Sequence, residues 1–304
     1  MFHGSIPAII TPFRNGQVDW ETLEALLEWQ IAQGSHGVVL CGTTGESPTL
    51  THNEHKLIVE RGVQMVKGRI PVIAGTGSNS TAEALDFTLE AEKAGADGAL
   101  IVTPYYNKPT QEGLIAHYGV LAKATKLPII IYNIPGRCVI DMKIETMTTI
   151  AKSHKNIIGV KDATADITRV KKTIELLGSE FCQLSGEDAN AYDFLAEGGH
   201  GCISVTANIA PRLCADMQDA WRAGKKDEAH AIQERLMPLH GAMFSETSPA
   251  PVKYAAQCLG FGTDEVRLPM VHASANARRL MDEALNKAGI TMPANRSLLQ
   301  KAHV

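Results

Sequence analysis

Lys161 stands at the carboxyl end of the apolar, β-branched run Ile157-Ile158-Gly159-Val160, with Asp162 beside it. A strand covered on both faces reads apolar throughout, so a lysine at its end calls for a reason. Either it pairs with a carboxylate or escapes past the strand end to water, or it is desolvated and its neutral amine can attack a carbonyl carbon. Tyr132 closes another apolar run, at 128–132. A tyrosine among hydroxyl partners can shuttle a proton; alone it is a strand-end phenol in water. Gly42-Thr43-Thr44-Gly45 brings backbone N–H groups and two hydroxyls to a turn before a helix. That is a natural carboxylate cradle, or an ordinary glycine turn. Arg137 offers a planar fork for a second carboxylate, or a surface ion pair. Metal chemistry competes for a carbonyl substrate, and His52 and His55 could ligate from one helix face. No third histidine or carboxylate stands at a companion strand end, so no metal is expected and the pair reads as solvated or interfacial. A lysine without a metal points to imine chemistry, in which the protonated imine is the electron sink for an enamine and no cofactor is needed.

The elements that must position these groups recur along the chain. Short runs rich in Val and Ile lie at 6–10, 36–41, 70–74, 98–102, 128–132, 157–161, 181–184 and 201–205. Segments of helical period separate most of them. Asp19 caps a first helix whose Leu23, Leu26, Leu27 and Ile31 line one face, and Gly34 ends it. Thr51-His-Asn-Glu54 and Ser80-Thr-Ala-Glu83 spell capping boxes for the next two. Further helices are expected from near Gln111, Asp141, Ile167, Asp188 and Pro211. Such repetition of strand then helix predicts an α/β fold, a closed parallel (β/α)₈ TIM barrel over residues 1–224, with an open doubly wound sheet as the alternative. From about Gly224 the strand runs stop. Segments 225–244, 249–259 and 270–287 read as helix, so 225–304 is an appended C-terminal helical region that packs on the barrel or a neighbouring subunit.

In such a barrel the site lies at the carboxyl ends of the strands. Those ends carry Thr11, Thr43, Thr44, Thr76, Thr103 with Tyr105 and Tyr106, Tyr132 with Arg137, Lys161, Ser185 with Gly186, and Ser204 with Thr206. Hydroxyls, tyrosines, one arginine and one lysine thus converge on one mouth. Gly75-Thr-Gly77-Ser-Asn-Ser80 imitates a dinucleotide fingerprint, but Ser80 stands where the third glycine belongs. It reads as a tight loop with a helix cap.

Composition narrows the rest. The chain has 304 residues, 44% hydrophobic and 20% charged, with net charge −4 and no long basic cluster. A nucleic acid or an anionic membrane is therefore not an expected partner. The opening residues lack a signal-peptide pattern, and no window approaches the ~18 uncharged apolar residues of a membrane span. Six cysteines lie scattered without CxxC spacing, which suits a reducing, cytoplasmic setting.

Taken together, Gly42-Thr-Thr-Gly-Glu46, Val102-Thr-Pro-Tyr-Tyr-Asn107, Tyr132-Asn-Ile-Pro135 with Arg137, Ile158-Gly-Val-Lys-Asp162 and Gly201-Cys-Ile-Ser-Val-Thr-Ala-Asn208 closely resemble the dihydrodipicolinate synthase family of Schiff-base, pyruvate-dependent aldolases. The likeness runs on to Pro251-Val-Lys-Tyr-Ala-Ala, nearly the whole chain. It implies lysine biosynthesis by the diaminopimelate route. Pyruvate would form an imine on Lys161, and its enamine would attack the aldehyde of aspartate semialdehyde. By the same resemblance Tyr132 is the proton donor and acceptor. Thr43 and Tyr106 complete a relay, Tyr106 reaching into a neighbouring subunit's site. Thr44, Gly186 and Ile203 would contact pyruvate, and Arg137 the semialdehyde carboxylate. The family is commonly a homotetramer, a dimer of dimers. Some members are inhibited by L-lysine at the tight-dimer interface, where the matching positions are Ser47, His52, His55, Asn79, Glu83 and Tyr105. Pro48 departs from the small residue often found there. N-acetylneuraminate lyase and 2-keto-3-deoxy sugar-acid aldolases share Lys161 and Tyr132 in this likeness, but the lyase resembles the chain less at Thr43 and Arg137. A non-catalytic sensor of a keto acid or of lysine is the reading from another class, and an imine-forming amine argues against it. The role of Asp162 is left open, as a partner tuning the amine or a residue facing away.

Overall fold

The computed structural model describes residues 2–291. Strand β1 (Gly4–Pro7) leads to a small antiparallel hairpin, β2 (Phe13–Arg14) and β3 (Gln17–Val18), before α1 (Trp20–Ala32). The chain then alternates: β4 (Val38–Leu40), α2 (His52–Val66), β5 (Val72–Gly75), α3 (Thr81–Ala94), β6 (Gly98–Val102), α4 (Gln111–Ala124) and β7 (Ile129–Asn133). A short α5 (Pro135–Cys138) precedes α6 (Ile144–Ser153), β8 (Ile157–Asp162), α7 (Thr168–Leu177), β9 (Cys182–Ser185), α8 (Ala191–Ala196), β10 (Gly201–Ser204) and α9 (Pro211–Arg222). Helices α10 (Lys226–Met243), α11 (Ala250–Cys258) and α12 (Ala275–Lys287) follow.

Eight parallel strands form one sheet in the order β1-β10-β9-β8-β7-β6-β5-β4. A bridge between Ala8 and Val39 closes its two edges into a barrel. The eight apolar runs all become strands, so the TIM-barrel expectation holds and the open sheet falls. Period-two alternation splits the buried residues into two shells. Val38, Leu40, Ile129, Ile131 and Val160 face the helices, with Leu26, Leu27, Ile58 and Tyr118. Ile6, Ala8, Val39, Ile73, Leu100, Ile130, Tyr132, Leu184 and Ile203 fill the lumen. Because the lumen is packed, a substrate can reach it only from a barrel end.

Local rules set the helix starts. The Asp19 carboxylate accepts from Thr22 N at 3.1 Å, and Thr51 with Glu54 makes the full reciprocal capping box. The expected second box is only half made. Ser80 Oγ caps Glu83 N, but the Glu83 carboxylate is held instead by Ser78 Oγ and His52. The helix expected from Asp141 starts at Ile144, because Asp141 serves the loop before it: its Oδ1 accepts from Asn133 Nδ2 at 2.7 Å. Residues 270–274 do not join the last helix, which begins after its Ser274 cap. Positions 292–304 of the expected helical region lie outside the described residues. Gly75 and Gly77 answer the fingerprint question by packing. A Cβ would fall 2.3 Å from Cys41 O at the first and 2.3 Å from Val102 N at the second. These glycines let neighbouring backbones approach, as the loop-and-cap reading expects.

Candidate active site

Lys161 and Tyr132 are register partners on adjacent strands β8 and β7. Parallel pairing puts both side chains on the lumen side at the carboxyl end. Lys161 is 6% exposed, and its Nζ lies 4.0 Å from the centroid of the buried Tyr132 ring. Among the described residues no ion pair or hydrogen bond of Lys161 Nζ is found, so the carboxylate-paired reading of this lysine fails. Glu187, half-buried on the next loop, feels it from further off. Burial first, then Asp188, pushes the Glu187 carboxyl up, against the pull of Lys161.

Asp162 faces away from the amine. Its Oδ2 accepts from Arg169 Nε at 2.8 Å, and its Oδ1 from Thr164 N at 2.9 Å and from Thr164 Oγ1 at 2.6 Å. It therefore pins the loop after β8. Gly186 N donates to Asp162 O at 2.7 Å, and a Cβ on Gly186 would fall 3.0 Å from Lys161 Cε and 2.7 Å from Ala163 Cβ. Only glycine leaves the lysine stem free at that point. Ile203 pairs with Ile6 in the lumen floor.

The 42–46 loop after β4 is a tight turn. Gly45 N donates to Gly42 O at 3.1 Å and Glu46 N to Thr43 O at 3.1 Å, while Thr11 Oγ1 holds Gly45 O at 2.7 Å. Thr44 is buried and Thr43 half-buried. Arg137 stands exposed on α5, immediately past the end of β7. Tyr106 is 88% exposed with φ +71°, so its phenol extends from the surface of the chain.

A second cluster lies beside the mouth, on α2, α3 and the loops after β5 and β6. His52 Nε2 meets Glu83 Oε1 at 2.6 Å. His55 is buried, stacked on Phe87 at 4.0 Å and 7°, with Nε2 against Gly75 O at 2.8 Å. Burial lowers its pKa to about 4, so it is neutral near pH 7. The solvated reading of the histidine pair thus fits His52 and not His55. The Tyr105 phenol is pushed up by burial and by Glu83, against hydrogen bonds from the Asn79 backbone and Ser78. Asn107 Nδ2 donates to Asn79 O at 2.8 Å. His52, His55, Asn79, Glu83 and Tyr105 are thereby brought together; Ser47 sits in the turn that leads to α2.

Several residues here have roles that the sequence pattern does not reveal. Phe87 and Ser78 build the second cluster, and Asp188 ties the loops after β9 and β10: its Oδ2 accepts from Val205 N at 2.8 Å and Thr206 N at 3.1 Å. Lys253 and Arg267, from beyond the barrel, reach Glu46. A lone lysine inside the apolar helix 250–258 was the available signal.

The closed (β/α)₈ barrel carries a buried lysine over a tyrosine ring at the carboxyl ends of its strands, and the class to which its relatives belong is that of the Schiff-base lyases. The chain belongs to the dihydrodipicolinate synthetase family, whose model matches residues 1–288. A 4-hydroxy-tetrahydrodipicolinate synthase of Rhodospirillum centenum is 58% identical over 95% of this chain and 99% of its own length. The chloride-inhibited dihydrodipicolinate synthase from Acinetobacter baumannii, solved with pyruvate, superposes with TM-score 0.93 at 43% identity, covering 96% of this chain and 100% of that one. The Cyanidioschyzon merolae enzyme, solved with lysine bound, gives 0.92 at 36% identity, over 95% of this chain and 99% of that one.

Proposed function

We propose that this chain condenses pyruvate with L-aspartate 4-semialdehyde, as a 4-hydroxy-tetrahydrodipicolinate synthase of the diaminopimelate route to lysine. The observation that carries this is Lys161: buried at the catalytic end of β8, without a carboxylate partner, over the Tyr132 ring. The neutral amine adds to C2 of pyruvate and water leaves, giving a protonated imine. Loss of a proton from C3 gives the enamine, which bonds to the aldehyde carbon while Tyr132 delivers a proton to the new alkoxide. The amine of the incoming substrate then adds to C2, expels Lys161 and closes the ring. The 42–46 loop receives the pyruvate carboxylate, with Thr44 as its donor and Gly186 and Ile203 shaping the pocket. Arg137 meets the second carboxylate. Thr43 and Tyr106 pass the proton on from Tyr132, the exposed Tyr106 serving the site of a neighbouring copy in a dimer of dimers. In this reading the barrel up to residue 224 is the catalytic part and the helices α10, α11 and α12 brace it. No helix of the described residues is long and apolar enough to cross a membrane, and the buried thiols fit work in the cytoplasm.

The test is mass spectrometry after borohydride reduction with and without pyruvate, followed by turnover of aspartate semialdehyde against N-acetylneuraminate. One trapped pyruvate per chain and selective turnover of the semialdehyde are expected. Turnover of the sugar acid alone would replace this reading by the lyase, and a folded chain that traps nothing would return the sensor.

L-lysine is the inhibitor we assign to the second cluster. The His52–Glu83 pair and the Tyr105 phenol offer carboxylate and hydroxyl partners to an ammonium, and His55 and Phe87 an apolar wall. Initial rates unchanged at saturating L-lysine would remove this assignment.

A further inference from the structure

Beyond the mouth, a buried ion pair lies under the 42–46 loop. Lys253 is 0% exposed on α11, and its ammonium faces Glu46 Oε1 as an ion pair, donates to Glu265 O at 2.7 Å, and lies 4.1 Å from the Phe13 ring centroid. Arg267 completes the assembly from the segment between α11 and α12. Its backbone N donates to Glu46 Oε2 at 2.9 Å, and its Nη1 and Nη2 reach Glu54 at 2.8 and 2.6 Å. The same guanidinium holds Thr49 O at 3.0 Å and Gly16 O at 2.8 Å. Thr263 Oγ1 and Glu265 Oε1 tie this segment to Phe13 O at 2.8 Å and Gly16 N at 2.6 Å. A strap at 263–267 therefore runs along the β2–β3 hairpin and grips the loop after β4 at Glu46 and the first turn of α2 at Glu54.

The loop needs that grip. Cys41 and Glu46, which bracket it, have φ +54° and +56°, a left-handed conformation unfavourable for residues that carry a Cβ. Such backbone persists where surrounding contacts over-determine it. A buried ion pair is in general no stabiliser compared with apolar packing, so stability alone is a weak reason to bury Lys253 against Glu46. Fixing one loop conformation is a better one.

We propose that Lys253 and Arg267 are positioning residues which, through Glu46 and Glu54, set the 42–46 loop in the conformation that receives the pyruvate carboxylate. The proposal rests on the functional reading above. It makes the helices after the barrel part of substrate recognition, acting without touching substrate.

The experiment measures three quantities on wild type, the double variant Glu46→Gln/Lys253→Met and Arg267→Lys. These are pyruvate at half-maximal borohydride trapping, the KM for aspartate semialdehyde, and the thermal midpoint. The double variant removes both charges, so its midpoint stays within a few degrees of wild type. Its half-saturating pyruvate rises at least tenfold, and its KM for the semialdehyde moves less than threefold. Arg267→Lys keeps a charge but cannot span Glu54 and two carbonyls, and shifts pyruvate the same way by a smaller factor, at least threefold. If the double variant does not fold, Arg267→Lys decides. A pyruvate shift under twofold, or an equal loss for both substrates, overturns the positioning role while wild type still traps pyruvate. A wild type that traps none overturns the functional reading, and this inference with it.

Discussion

Among the described residues two lysines are buried, and they are buried differently. Lys161 and Lys253 each lie about one ring thickness from an aromatic face, Tyr132 at 4.0 Å and Phe13 at 4.1 Å. Lys253 has a carboxylate, a carbonyl and a ring around its ammonium, while among the described residues Lys161 Nζ lies over its ring with no hydrogen-bond or ion-pair partner. Burial lowers the Lys253 pKa to about 8 even against the opposing pull of Glu46. A buried amine surrounded by acceptors holds structure together. One left without them at the open end of a barrel is placed to react. The location of each follows the same division: Lys161 ends a strand at the mouth, and Lys253 sits in a helix behind the loop.

Removing each lysine tests the contrast most directly. Lys161→Met should leave no trapped pyruvate and lower turnover at least about a thousandfold, with a thermal midpoint equal to or above wild type, since nothing is left unpaired. Lys253→Met leaves the Glu46 carboxylate buried without its cation, which should cost about 3–5 kcal/mol in chemical denaturation. Adding Glu46→Gln should recover most of that loss. If Lys161→Met were the destabilised protein and Lys253→Met the stable one, the division of roles would be reversed.

A smaller change sharpens the comparison at the ring itself. Tyr132→Phe keeps the aromatic face under Lys161 and deletes only the hydroxyl. Pyruvate should still be trapped, because the amine survives, while turnover falls about a hundredfold for want of the proton carrier. Equal loss of trapping and turnover would mean that the phenol serves the imine step as well.

Only one of the two lysines was legible in the sequence, and the reason is physical. Lys161 interrupts a β-branched run, where a lysine conflicts with its neighbours, and such conflict is local. Lys253 occupies a helix, where a lysine ordinarily turns to water, and the partner segments of its strap are far away in the chain: Arg267 and Glu46 are 221 positions apart. The same division runs through the fold. All eight barrel strands could be read from their composition, and Asp19 and Thr51 were readable as caps because capping is a three-residue matter. Two-residue strands such as Phe13–Arg14 are too short to carry a period, so the hairpin that bears Phe13 went unread. His52 and His55 share a helix spacing but not a fate, because Phe87, from another helix, covers only one of them in a stacked contact. Asp162 sits next to Lys161 in sequence and turns away from it, as neighbours on a strand must.

The mildest prediction concerns the action of acid on the strap. Arg267 holds the Glu54 carboxyl down at about 2, well below its ordinary 4.5, with Thr51 helping and burial opposing. A carboxyl whose folded pKa is depressed contributes stability that is fully present above its unfolded pKa and is lost as pH falls toward the folded value. The window is therefore from about pH 4.5 down to about 2. The shift corresponds to roughly 3 kcal/mol unscreened, and the partly exposed pair should realise about 1–2 kcal/mol of it. Glu54→Gln should thus lie below wild type in denaturation at pH 6, and the gap should narrow by rather more than half of that amount near pH 3, the remainder being lost toward pH 2. An unchanged gap would mean that the Arg267 fork holds Glu54 by hydrogen-bond geometry rather than charge. In that case the strap would be insensitive to acid.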